Sequence, residues 1–144
     1  MPEVNYLAVL VAAVAAFILG AIWYSPALFA PAWMAEARIT PPAPGAPKPS
    51  MGGLFLLAFV TALIAAYAMA VLLVRPEHHS LLSGIKRGIA AGLCWVAMSF
   101  ASSYAFERRS MRLWLINAGY FVVQFAVMGA VLGVMNGLPD IMNH

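Results

Sequence analysis

Four continuous apolar runs divide this chain, at roughly residues 6–24, 52–74, 88–104 and 113–135, and none has an Asp, Glu, Lys, Arg or His at its centre. A helix rises about 1.5 Å per residue and the hydrocarbon core of a bilayer is about 30 Å thick, so runs of this length predict membrane-spanning helices. Barrel strands are about ten residues long and alternate in polarity, whereas these runs are uniformly apolar. Composition agrees, with 64% of residues hydrophobic and 9% charged, against roughly half and a quarter in soluble domains. The predicted fold is all-α: one integral membrane four-helix bundle, with a short interfacial segment in its first loop. The opening run lacks the basic start of a secretory signal, its early charge being Glu3, and is expected to be retained as a span.

Small residues recur every fourth position within these runs. The first carries Ala8, Ala12, Ala16 and Gly20, the second Ala58, Ala62, Ala66 and Ala70, the third Gly84, Gly88 and Gly92, and the fourth Gly129, Gly133 and Gly137. Residues four apart share a helix face. Helices in lipid gain little from hydrophobicity when they pair, so close backbone approach along small-residue ridges is what holds them together. Glycine weakens a helix by about 1 kcal/mol relative to alanine, so the two glycine ridges are the stronger signal. Ala12, Ala16, Gly20, Ala62, Ala66, Gly88, Gly92, Gly129 and Gly133 are the expected packing positions.

An even number of spans puts loops one and three on one face. They carry Arg38, Lys48, Arg108, Arg109 and Arg112, against Arg75, Lys86 and Arg87 in loop two. Basic residues favour the cytoplasmic side, which predicts cytoplasmic loops one and three and both termini outside. In loop one, Phe29 and Trp33 are four apart and suit a short helix at the headgroup level. Trp23 and Tyr24 close the first span at the membrane boundary, and Pro26 stops the helix. Residues Pro41 to Pro49 include five prolines and a glycine and predict an extended spacer.

Polar residues inside the spans are few. Asn117, Tyr120 and Gln124 are expected on one face of the fourth helix, with Ser99, Ser102 and Ser103 of the third as partners. Glu107, Arg108, Arg109 and Arg112 form a charged turn in which one carboxylate meets three guanidinium groups, and the surplus positive charge predicts lipid phosphates as neighbours. The net charge of +3 is scattered beside the spans, so nucleic acid is not an expected partner.

Reactive groups do not assemble into a centre. Glu77, His78 and His79 have metal-ligand side chains, but adjacent histidines point apart and nothing nearby in sequence completes a tetrahedral set. No histidine lies within a span to hold haem. Ser25 has no base near it in sequence, and Cys94 is the chain's one cysteine. No catalytic residue, metal or cofactor is expected.

The stretches Asn5 to Ala12 and Gly20 to Pro26, with Phe29 and Trp33, resemble a family of small bacterial four-span membrane proteins known as a domain of unknown function. Phe106-Glu107-Arg108, Leu115 to Tyr120 and Met128 to Gly133 carry the same resemblance at the other end. It covers nearly the whole chain, and the Pro41 to Pro49 segment departs from it. It implies the four-span architecture and a bacterial cytoplasmic membrane, and brings no catalytic residue, ligand or cofactor. The expected role is a structural or accessory membrane protein that packs with itself or with a larger complex. The alternative is a small transporter or channel for a neutral solute, its polar path on helices three and four.

Overall fold

The computed structural model describes residues 4–40, 43–47, 50–72 and 80–142, with side chains to Gly137. Glu77, His78 and His79, together with Arg75, Lys48 and part of the proline-rich segment, lie outside the described residues. The protein is all-helical among those residues. We name α1 Tyr6–Trp23, α2 Ala30–Glu36, α3 Gly52–Leu72, α4 Leu81–Phe106 and α5 Met111–Met142. All but α2 are long and apolar enough to cross a membrane.

Local chemistry sets the helix starts. The Asn5 side chain accepts from the Ala8 amide at 3.0 Å, and Ser80 Oγ accepts from Ser83 at 3.1 Å. Ser110 Oγ does the same for Leu113 at 3.1 Å. Each satisfies an amide that the first turn leaves without a carbonyl. Capping by Ser80 corrects the third span, which begins at Leu81 rather than near Gly88. Lys86 and Arg87 therefore sit on α4 and not in loop two; Lys86 is exposed, so its stem can run along the helix toward water.

The spans pack side by side in the order α3, α1, α5, α4. The inner pair is more enclosed: 28% and 33% of the most apolar stretches of α1 and α5 are buried, against 17% for both α3 and α4. Between α1 and α3 the contact is built on alanine. Ala8, Ala12, Ala13 and Ala16 face Ala62, Ala66, Met69 and Ala70, and Met128 and Leu132 of α5 close the same core. Phe17 adds edge-on contacts to Phe55 and Phe59, with ring centres 6.2 and 5.9 Å apart.

The α4–α5 contact is built on glycine. A Cβ at Gly84 would collide with the Gly129 carbonyl, and one at Gly129 would collide with the Gly84 carbonyl. Along the same seam a Cβ at Gly88 would strike the Phe125 carbonyl. At Gly92 it would lie 2.8 Å from Val122 Cα, and at Gly133 2.5 Å from the Ser80 carbonyl oxygen. The two glycine ridges thus face each other inside one chain, at a separation that no other residue permits. Ala12, Ala16, Ala62 and Ala66 are likewise buried within the chain.

Candidate functional site

At one end of the bundle, α1, α4 and α5 are tied by side-chain hydrogen bonds. The Trp23 indole donates to the Ile116 carbonyl at 3.1 Å. Tyr24 donates its hydroxyl to Asn117 Oδ1 at 2.8 Å, and Asn117 Nδ2 donates to the Tyr104 hydroxyl at 2.9 Å. Both halves of the Asn117 amide are therefore engaged, one by each neighbouring helix end. Aromatic rings continue the network, with Trp33 5.4 Å from Tyr24 and Tyr24 5.2 Å from Tyr120. Tyr120 in turn fills the gap over Gly20, where a Cβ would lie 2.9 Å from its hydroxyl. Burial, then the nearby Tyr120 and Tyr104, raise the Tyr24 pKa above the ordinary tyrosine value, so Tyr24 stays a neutral donor.

The serines expected to partner Asn117 and Gln124 do not reach them. Ser99, Ser102 and Ser103 are exposed, and Ser99 Oγ turns back to the Trp95 carbonyl of its own helix. The cause is a π-helical turn at Gly92–Ala97. A π turn takes up an extra residue and rotates everything beyond it. The face that carries Gly84, Gly88 and Gly92 continues through Ala97, Phe100, Ala101 and Tyr104 instead of through Ser99 and Ser103. Within this turn the Ala97 carbonyl also accepts from the Trp114 indole at 3.0 Å. Gln124 is left buried, its Oε1 without a hydrogen-bond donor among the described residues.

Above this network the first and third loops meet. Ser110 donates its hydroxyl to Glu36 of α2, and Arg112 lies 3.7 Å from the same carboxylate. Arg109 pairs with Glu107 and lies over the Tyr104 ring, 5.4 Å from its centre. Nothing in the sequence marks Glu36, Ser110, Tyr104 and Trp114 for these contacts. Ser110, a polar residue just before an apolar run, carries the one local signal, that of a helix cap. Between α2 and the α4–α5 turn lies an open cavity of about 640 Å³, lined by Glu36, Arg38, Glu107, Arg108, Arg109 and Ser110. Among the described residues no group of three His, Cys, Asp or Glu side chains is placed to hold a metal.

Four apolar spans, a boundary ring of Trp and Tyr and a charged rim above it define a multi-pass membrane protein. Residues 7–133 match the model of a family described as Protein of unknown function (DUF1761), and the chain belongs to that family. No curated protein and no solved structure matches the chain.

Proposed function

We propose that this protein is a non-catalytic structural or accessory component of a bacterial cytoplasmic membrane, associating through α4 and α5 with a second copy or with a larger complex. The glycine ridges do not supply the docking surface, because they are spent on one another within the chain. The observation that carries the reading is a shallow apolar groove of about 260 Å³ between α4 and α5, on the side open to lipid. Ile85, Ile89, Val122 and Val127 form its walls, with Ala126 and Ala130 four residues apart. That spacing of small residues is what lets another helix approach. Contacts of Glu36 with Ser110 and Arg112 hold loops one and three to a common face, and the excess of basic residues there supports a cytoplasmic position for it.

Single-cysteine variants in a Cys94→Ser background test this. Ala130→Cys, cross-linked in native membranes, is expected to give a discrete adduct, while Ile18→Cys on exposed α1 surface gives none. Ser110→Cys is expected to react with an impermeant thiol reagent in inverted vesicles only. A monomer in native-membrane discs with no adduct at Ala130→Cys defeats the assembly reading.

One observation favours a second reading, a path for a neutral solute: Gln124 Oε1 is buried without a donor. An unpartnered amide in lipid is costly and is often kept for function. Gln124→Leu in liposomes separates the cases. Unchanged solute flux with a raised thermal midpoint rejects the path, and loss of a measured flux supports it.

A further inference from the structure

Two arginines that line the cavity between α2 and the α4–α5 turn hold a backbone conformation rare for any residue but glycine. Arg38 has φ 56° and Arg108 has φ 53°. Each follows the end of a helix in the same arrangement. Arg38 N–H donates to Ala35 and Ile39 N–H to Met34, while Arg108 N–H donates to Ala105 and Arg109 N–H to Tyr104. This is the left-handed helix stop in which glycine is the usual occupant, since a Cβ there is strained. Strain kept at two sites that open on one cavity is a sign of use.

The charges point the same way. Arg112 and Ser110 engage Glu36, and Arg109 engages Glu107. The guanidinium groups of Arg38 and Arg108 form no hydrogen bond or ion pair with a described residue. Four guanidinium groups stand against two carboxylates around this opening. The carbonyl ends of α2 and α4 and the amide end of α5 all reach it; the α5 dipole opposes that of α4, α2 is only about two turns long, and the full charges of the arginines set the sign. A planar guanidinium with paired N–H donors matches a phosphate oxygen pair.

An apolar groove tells a lipid from a free anion. At Arg109 and Ser110 the cavity adjoins a cleft of about 140 Å³ that runs toward the membrane between α4 and α5, lined by Ala101, Tyr104, Ala105, Met111 and Trp114. Met111 of its lining stands exposed, as does Phe106, next in the chain to Ala105. A charged opening joined to a strip of apolar wall is complementary to a headgroup joined to an acyl chain.

We propose that this site holds one anionic phospholipid, its phosphate between Arg38 and Arg108 and an acyl chain in the cleft beside Trp114. The proposal stands apart from the assembly reading, since its residues lie at the rim and not in the Ala126–Ala130 groove. The full-length protein, purified and delipidated in mild detergent, is titrated with phosphatidylglycerol or phosphatidylcholine and bound lipid is counted by native mass spectrometry. One phosphatidylglycerol is expected to bind about ten-fold more tightly than phosphatidylcholine, 1.4 kcal/mol for each ten-fold. Arg38→Gly and Arg108→Gly relieve the strained backbone, so both variants are expected to fold with a raised thermal midpoint and to lose that preference. Lys86→Gln, near the opposite end of α4, keeps it. Ala101→Leu, which fills the cleft, weakens phosphatidylglycerol while leaving any binding of inorganic phosphate unchanged. Glycine variants that retain the preference overturn the proposal, as does displacement of the lipid by millimolar inorganic phosphate, which marks a free-anion site.

Discussion

At the residue scale, Asn117 shows how a lone amide is accommodated in a lipid-facing protein. Its oxygen takes the Tyr24 hydroxyl and its nitrogen serves Tyr104, so each group meets a partner that supplies what it lacks. Such bonds within membranes are worth about 0.6 kcal/mol on average, more when a buried group would be left unmet. Tyr24→Phe keeps the ring contacts and removes one donor. It is expected to lower stability by about 1 kcal/mol in a detergent unfolding titration. Tyr67→Phe, whose ring stacks on Tyr6, is expected to change nothing, and equal losses in the two variants refute a bonding role for Tyr24. The presence of Asn117 in an apolar run was legible in the sequence. Its partners were not, because Tyr24 is 93 positions away and Tyr104, 13 positions away, lies on the preceding helix, so that they meet only when three helix ends converge.

At the element scale, α4 joins a glycine seam to an aromatic end through one π turn. The seam follows directly from spacing: Gly84, Gly88 and Gly92 lie four apart, as do Gly129 and Gly133, and each set lines one face. Glycine to alanine in a helix is ordinarily a gain of up to about 1 kcal/mol. Gly129→Ala is expected to reverse that sign, because its Cβ would enter the space of the Gly84 carbonyl and backbone cannot rotate away as a side chain can. A loss of about 3 kcal/mol or more, read as a lower thermal midpoint, is expected from overpacking of this kind. Gly53→Ala, with open space around it, is the control and should lose nothing; matched behaviour of the two variants refutes the tight seam. Continued past Gly92, an unbroken α-helical period would turn Ser99 and Ser103 toward α5, and the extra residue of the π turn moves them out.

At the scale of the whole molecule, helices α1 and α5 form the middle and α3 and α4 the flanks. The apolar runs determined that the chain crosses the membrane, because a backbone in lipid must satisfy its own hydrogen bonds and only uncharged stretches about 20 residues long tolerate that solvent. The small-residue spacing determined which face of each helix packs, since close approach is the principal attraction left between helices in lipid. Which helices pair was decided only by tertiary structure: alanine ridges on α1 and α3, and glycine ridges on α4 and α5, are locally interchangeable as patterns, and the choice among them depends on all the interfaces fitting at once. The same holds for the rim. Glu36, Arg38 and Ser110 are ordinary loop residues in the sequence, and they share an opening with Arg108 of the charged turn because the short helix α2 folds back against the α4–α5 turn, bringing together residues about seventy positions apart.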